Sequence, residues 1–246
     1  MSRRAEIFPQ AGEIAGRPAV IPQKPADGAA SRVWPASLSM DDEVRKIVQS
    51  VFRIGQGENN PRAVAFCGAN RGAGSSWLCA ATGESLARQA NGSVCLIDAN
   101  LRTPSLHAQF EVARAPGFVE LMKTPKPVTD FAQRTRQSNL WLVAAGSPAT
   151  ETNGWLNPRK LNLRFAELRQ EFDFLLIDTP AADICPDGVL LGQIADGVVL
   201  VVGSDSTRRE AARNAKSSFE TAQVPVFGAV LNKRTFPIPD AIYRRI

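Results

Sequence analysis

Few residues in this chain have types and spacing that could do chemistry. Gly72, Ala73, Gly74, Ser75 and Ser76 follow the apolar run Ala63–Cys67 and open a helical pattern that reaches about Gln89. A strand, a glycine-rich turn and a helix in that order bring backbone N–H groups and a helix N-terminus to one point, which is a site for phosphate. Gly72 and Gly74 permit close backbone approach to an anion. The Ser76 hydroxyl stands where a phosphate-bound Mg²⁺ takes a ligand. A lysine is expected just before it, reaching the outer phosphates, and Ser75 stands there instead. Asp98 closes the apolar segment Val94–Asp98, and Asp178 closes Phe174–Asp178. A carboxylate at the end of a buried strand, facing a phosphate loop, holds Mg²⁺ directly or through water. Either aspartate alone is a common turn former, whereas the pair, in this order behind a glycine-rich turn, is a stronger pattern.

These residues need a sheet to position them. Strands are expected at Ala63–Cys67, Val94–Asp98, Leu140–Ala144, Phe174–Asp178, Gly197–Val202 and Val226–Leu231. Helices are expected at Ser75–Gln89, Pro158–Glu171, Gly188–Ile194 and Ser206–Ala222, with a shorter one around Phe118–Met122. Nearly continuous apolar strands alternating with helices predict an α/β fold, a parallel, doubly wound sheet of the P-loop NTPase type with helices on both faces. Ligands in such folds sit beyond the carboxyl ends of the strands, and Gly68–Ser76, Asp98, Asp178 and Asn232 all fall there.

Ahead of the sheet, Val44, Ile47, Val48, Val51 and Phe52 form one apolar stripe of a helix that starts at an N-cap, Ser39, and ends near Gly55. Residues 1–38 carry five prolines with no helical or strand period, and read as a flexible tail. The expected division is a Pro-rich tail at 1–38, a P-loop domain at 39–235 and a C-terminal docking segment at 236–246. That last segment carries Phe236, Ile238, Ile242, Tyr243 and Ile246 among cations and two prolines.

The net charge of +5 is carried by the ends: residues 1–40 hold +2, residues 233–246 hold +3, and the stretch between is neutral. A basic groove for nucleic acid is therefore not expected, and the tails suit an anionic membrane surface, an acidic partner or plain solvation. No apolar run is long enough to span a bilayer and no signal-peptide core opens the chain, so a cytoplasmic protein is expected. The four cysteines form no C-x-x-C pair and read as reduced, mostly buried thiols.

The motifs resemble those of the bacterial tyrosine kinases (BY-kinases) of capsular and exopolysaccharide systems, relatives of the plasmid-partition and cell-division-site ATPases. The family motif Leu-Ile-Asp-x-Asp-x-Arg-x-Pro-x-x-His is matched by Leu96, Ile97, Asp98, Arg102, Pro104 and His107. Its Ile-Asp-Thr-Pro is matched by Ile177, Asp178, Thr179 and Pro180, with further matches at Gly117, Leu121, Gly146, Asn157, Asp196 and Asn232. The resemblance covers about residues 41–232. It implies ATP or ADP with Mg²⁺ as ligand, held by Arg71, Gly72, Ala73, Gly74, Ser75, Ser76 and Asn232. It also implies Ser76, Asp98 and Asp178 around the metal, with Asp98 and Asp178 as the catalytic acids. The implied activity is protein-tyrosine phosphorylation, and the implied partner is a membrane polysaccharide co-polymerase that would bring the chain to the inner membrane. Self-association is compatible with the resemblance, although the family's Glu-x-x-Arg-x-x-Arg is matched only by Asp42-x-x-Arg45-x-x-Val48.

The departures carry as much weight. Ser75 replaces the family's lysine, Asn100 replaces the second aspartate of the acidic motif, and Tyr243 is the chain's single tyrosine. A hydrogen bond to a charged group contributes about 1.5–3 kcal/mol, so losing the lysine should weaken nucleotide binding about 10–100-fold. Asn100 can offer Mg²⁺ a carbonyl oxygen but cannot accept a tyrosine proton. The reading is thus a degenerate BY-kinase-like regulatory protein with weak or no kinase activity. An active kinase or ATPase, with Arg71 as substitute cation, is the alternative. A dinucleotide-binding oxidoreductase is a third, since Gly72-x-Gly74-x-x-Trp77 begins like that fingerprint, although Trp77 is too bulky for its last position. His107, Trp77 and Trp141 are expected to serve structure.

Overall fold

The computed structural model describes residues 3–9, 40–53, 60–148 and 157–235. Their centre is an eight-stranded sheet with strands β1 (Arg3–Pro9), β2 (Ala63–Gly68), β3 (Val94–Asp98), β4 (Ala132–Arg134), β5 (Leu140–Val143), β6 (Phe174–Asp178), β7 (Gly197–Gly203) and β8 (Val226–Thr235). The spatial order is β1-β8-β7-β2-β6-β3-β5-β4. The six strands from β8 to β5 run parallel, and the two outermost pairs are antiparallel.

The parallel strands are apolar on both faces because both faces are covered. Along β2, Val64 and Phe66 enter one core, while Ala63, Ala65 and Cys67 enter the other. The first core is closed by α1 (Met40–Phe52) and α2 (Ser75–Gln89), the second by α4 (Phe118–Lys123), α5 (Pro158–Glu171), α6 (Asp187–Ile194) and α7 (Arg209–Thr221). The α1 stripe is buried at all five expected positions. Each such side chain contributes about 1.5–3 kcal/mol by leaving water. Among the described residues, no helix is long and apolar enough to cross a membrane.

Three features differ from the sequence expectation. Arg3–Pro9, inside the stretch expected to lack structure, is a strand antiparallel to β8. Its charged residues interrupt any apolar run, and an edge strand needs pairing on one side only, so the usual signal is missing. β4 is a three-residue antiparallel edge strand with no buried residue. Short helical turns at α3 (Leu106–Gln109) and at Val128–Phe131 are too brief to show a period. The expected cap Ser39, the rest of the 1–38 tail, Trp34, Trp155 and the 236–246 segment lie outside the described residues.

Topology also separates the readings. β2 lies between β6 and β7, and β3 is one strand further out. A dinucleotide-binding fold places the strand after the glycine-rich helix next to the first strand, so the oxidoreductase reading is set aside.

Candidate functional site

The loop between β2 and α2 is built as expected. Gly72 and Gly74 have φ of 81° and 94°, left-handed values that glycine adopts freely. The first hydrogen bond of α2 runs from Leu78 N–H to the Gly74 carbonyl at 3.0 Å. The N–H groups of Ser75, Ser76 and Trp77 therefore lie outside the helix ladder, at the positive end of a helix of 15 residues. Ser75 is buried at this first helical position and Arg71 is exposed at the turn.

Two side chains hold the loop from opposite sides, and the motif alone did not single out either for this role. Asn70 donates from Nδ2 to the Ser206 carbonyl at 3.3 Å and accepts from the Thr207 hydroxyl, fixing the loop to the turn after β7. Asn232 is fully buried in β8 and donates from Nδ2 to the Ala73 carbonyl at 2.9 Å. Next to it, Lys233 donates from Nζ to the Gly72 carbonyl.

The acidic side is assembled by strand register. Asp98 and Asp178 are direct partners on the adjacent parallel strands β3 and β6, and both are fully buried. Asp98 Oδ2 accepts from the N–H groups of Ser105 and Leu106, both at 3.1 Å, while its Oδ1 has no hydrogen-bond partner. Neither oxygen of Asp178 has one. Ser76 and Asn100 approach Asp178 and favour its charged form without completing a hydrogen bond of normal geometry. Asn100 is itself engaged, accepting at Oδ1 from Thr103 N–H and Oγ1, each at 3.3 Å.

Burial dominates the titration of both acids. It pushes Asp98 up to about 6, against the N–H bonds of Leu106, Ser105 and Asn100 and the positive charge of Arg114. Burial, and then the charge of Asp98, raise Asp178 well above the ordinary carboxylate range. Three buried carboxylate oxygens without donors, beside a serine hydroxyl, are hard oxygen ligands of the kind Mg²⁺ takes. The residues present fit that ion, with Asp98, Asp178 and Ser76 around it.

The remaining motif residues have structural duties. Thr179 is fully buried and donates from Oγ1 to the Phe66 carbonyl at 3.1 Å, tying the end of β6 to the end of β2. Asp196 accepts from the N–H groups of Arg62 and Ala63 at 2.6 and 2.8 Å, pinning the start of β2. Gly117 admits no side chain, because a Cβ there would stand 2.2 Å from the Ala144 carbonyl oxygen. Trp77 packs half-buried against the first core, and Trp141 packs on Phe172 and under Arg134. The His107 carbonyl closes its own turn by accepting from Val112 N–H at 3.0 Å. Cys67, Cys79 and Cys95 are buried free thiols and Cys185 is half-buried, with burial pushing Cys67 up to about 12.

Against known proteins, no family model matches the chain. It is 25% identical over 194 residues to the tyrosine-protein kinase YwqD of Bacillus subtilis, covering 79% of this chain and 81% of that one. The solved kinase domain of VpsO superposes with a TM-score of 0.70 at 25% identity, covering 78% of this chain and 94% of the other. In sequence and in fold the chain is thus similar to bacterial tyrosine kinases. Kinship at the level of the fold extends to the septum site-determining protein MinD of Pyrococcus horikoshii, solved with Mg-ADP. There the TM-score is 0.58 at 19% identity, over 68% of each chain. The structure has the parallel sheet, the glycine-rich loop and the Asp98–Asp178 pair on adjacent strands, with Ser75 and Asn100 at the two positions singled out in the sequence.

Proposed function

We propose that this chain is a nucleotide-binding BY-kinase relative without useful tyrosine kinase activity. It would act as a cytoplasmic regulatory partner of a membrane polysaccharide co-polymerase. What supports the reading is that Asp98 and Asp178 lie buried and paired beside Ser76, a set suited to Mg²⁺, while Ser75 and Asn100 stand where the family resemblance implies a lysine and a second aspartate. Transferring a phosphoryl group depends on positioned charge more than on covalent chemistry. A single preorganised donor to developing charge is worth about 10²–10³ in rate, and a general base about 10²–10⁴. Binding of Mg-ATP or Mg-ADP survives in this reading, held by the loop N–H groups and the aspartate pair. Contact with the partner is assigned to the 236–246 segment, whose Phe236, Ile242 and Tyr243 are its apolar anchors.

The deciding experiment incubates the full chain with radiolabelled ATP, Mg²⁺ and a tyrosine-bearing partner protein. Binding of nucleotide with no label is expected. Label on Tyr243 or on the partner, abolished by Asp178→Ala, would overturn the reading. A pull-down with the co-polymerase, comparing the full chain with one cut after residue 235, tests the docking segment. Equal retention of both would remove it from the proposal.

A further inference from the structure

The phosphate loop has no lysine of its own, yet a lysine touches it. Lys233 Nζ donates to the Gly72 carbonyl across 161 residues of sequence. Lys233 lies within β8 but has φ of 67°, a left-handed value that a long L side chain rarely adopts. The residue before it holds it there. Lys233 N–H donates to Asn232 Oδ1 at 2.8 Å, while Asn232 Nδ2 reaches the Ala73 carbonyl at 2.9 Å. One buried asparagine therefore fastens strand to loop and turns the next side chain toward that loop. Backbone strain of this kind persists where neighbours over-determine it, and it gathers at ligand sites.

We propose that Lys233 supplies, from β8, the cation that Ser75 does not supply from the loop, and that it binds the β-phosphate of a nucleoside di- or triphosphate. The inference deepens the nucleotide-binding reading and rests on it. An ammonium has three donors, and the Gly72 carbonyl takes one. The flexible four-carbon stem lets the ammonium pass from carbonyl to phosphate oxygen by side-chain rotation, with the strand in place. Arg71, the cation that the loop itself carries, is exposed at the turn. Arg114 serves the other side, where its charge faces Asp98 and its Nε donates to the Gly146 carbonyl at 3.0 Å. Lys233 thus stands as the counter-charge on the loop side of the site.

The test titrates the full chain with Mg-ADP and with AMP, which lacks the β-phosphate. The variants are Lys233→Asn, Lys233→Arg, Ser75→Lys and the double change Ser75→Lys with Lys233→Asn. Asparagine tolerates left-handed backbone, so Lys233→Asn removes the charge and keeps the strand geometry. Lys233→Asn is expected to weaken Mg-ADP about 10–100-fold while AMP changes less than about twofold. Lys233→Arg should stay within about threefold of wild type, and Lys233→Asn should cost less than about threefold once Ser75→Lys is present. A loss of Mg-ADP affinity below about twofold, or equal losses for Mg-ADP and AMP, overturns the assignment of Lys233 and leaves the nucleotide reading standing. A folded wild-type chain that binds neither nucleotide overturns both.

Discussion

On the β3–β6 side of the site two aspartates lie paired and fully buried, with three oxygens that lack a protein donor. On the β2–α2 side the loop that should face them with a lysine presents Ser75, and the approaching ammonium comes from β8. The acidic half carries two buried carboxylates and their cost, whereas the loop half has Ser75 where a balancing lysine could stand. Binding an ion and a phosphate needs both halves at moderate strength, whereas phosphoryl transfer needs both at full strength. In the proposed function, the difference would separate binding from catalysis within one site.

Ser75→Lys should restore the weaker half and tighten Mg-ATP by about 10–100-fold, read by calorimetric titration. No change would mean that the loop no longer accepts phosphate, and the contrast between the halves would lose its meaning. The next effect concerns the acids without ligand. A carboxyl whose folded-state pKa lies above its unfolded value holds its proton more tightly when folded, so its stabilising contribution is present at low pH. That contribution is lost as pH rises, for Asp98 from 3.8 toward about 6. Asp178→Asn relieves the charge pair and should stabilise the nucleotide-free chain near neutral pH, with the gain shrinking as pH falls and the carboxyls take up protons. Thermal melts across that range decide it, and a variant less stable at every pH would show that the carboxylates are not in conflict. Adding Mg²⁺ should stabilise wild type and leave Asp178→Asn nearly unmoved.

Asn232→Ala cuts the tie between β8 and the loop and leaves the Ala73 carbonyl without its donor. A loss of about 1–2 kcal/mol in denaturant unfolding is expected, together with weaker Mg-ADP binding. Intact binding would move Asn232 from loop support to fold support alone. The smallest effect is expected at Arg71: Arg71→Ala should change Mg-ADP affinity by less than about twofold, because the side chain is exposed and screened. A larger loss would make Arg71 the substitute cation and take that role from Lys233.

Much of this was legible because buried parallel strands write themselves plainly. Val94–Asp98 and Phe174–Asp178 are continuous apolar runs ending in acid, and the structure pairs those acids residue for residue. The half-exposed β4 and the strand at Arg3–Pro9 carry no such signal, since an edge strand needs neither two apolar faces nor length. The loop supports were illegible for a different reason. Asn70 meets Ser206 and Thr207, and Lys233 meets Gly72, across more than 130 residues each. Spacing along the chain cannot show that β8 lies two strands from β2, so Lys233 reads in sequence as one charge of a basic tail. Arg114 is hidden in the same way, because its effect on Asp98 depends on where the chain carries it after α3.

The placement of β2 has a consequence for how the chain comes off the ribosome. Both of its neighbours, β6 and β7, are made more than a hundred residues later, as the 113-residue span between Phe66 and Thr179 records. During that interval the strand carrying the phosphate loop has two open edges and an apolar surface on each face, which is a template for pairing with other chains. Closing the sheet means bringing distant segments together before any contact rewards them, a slow step set by topology. Nascent chains halted before β6 should therefore depend on chaperones, and the nucleotide site can first exist only after β8 has been made.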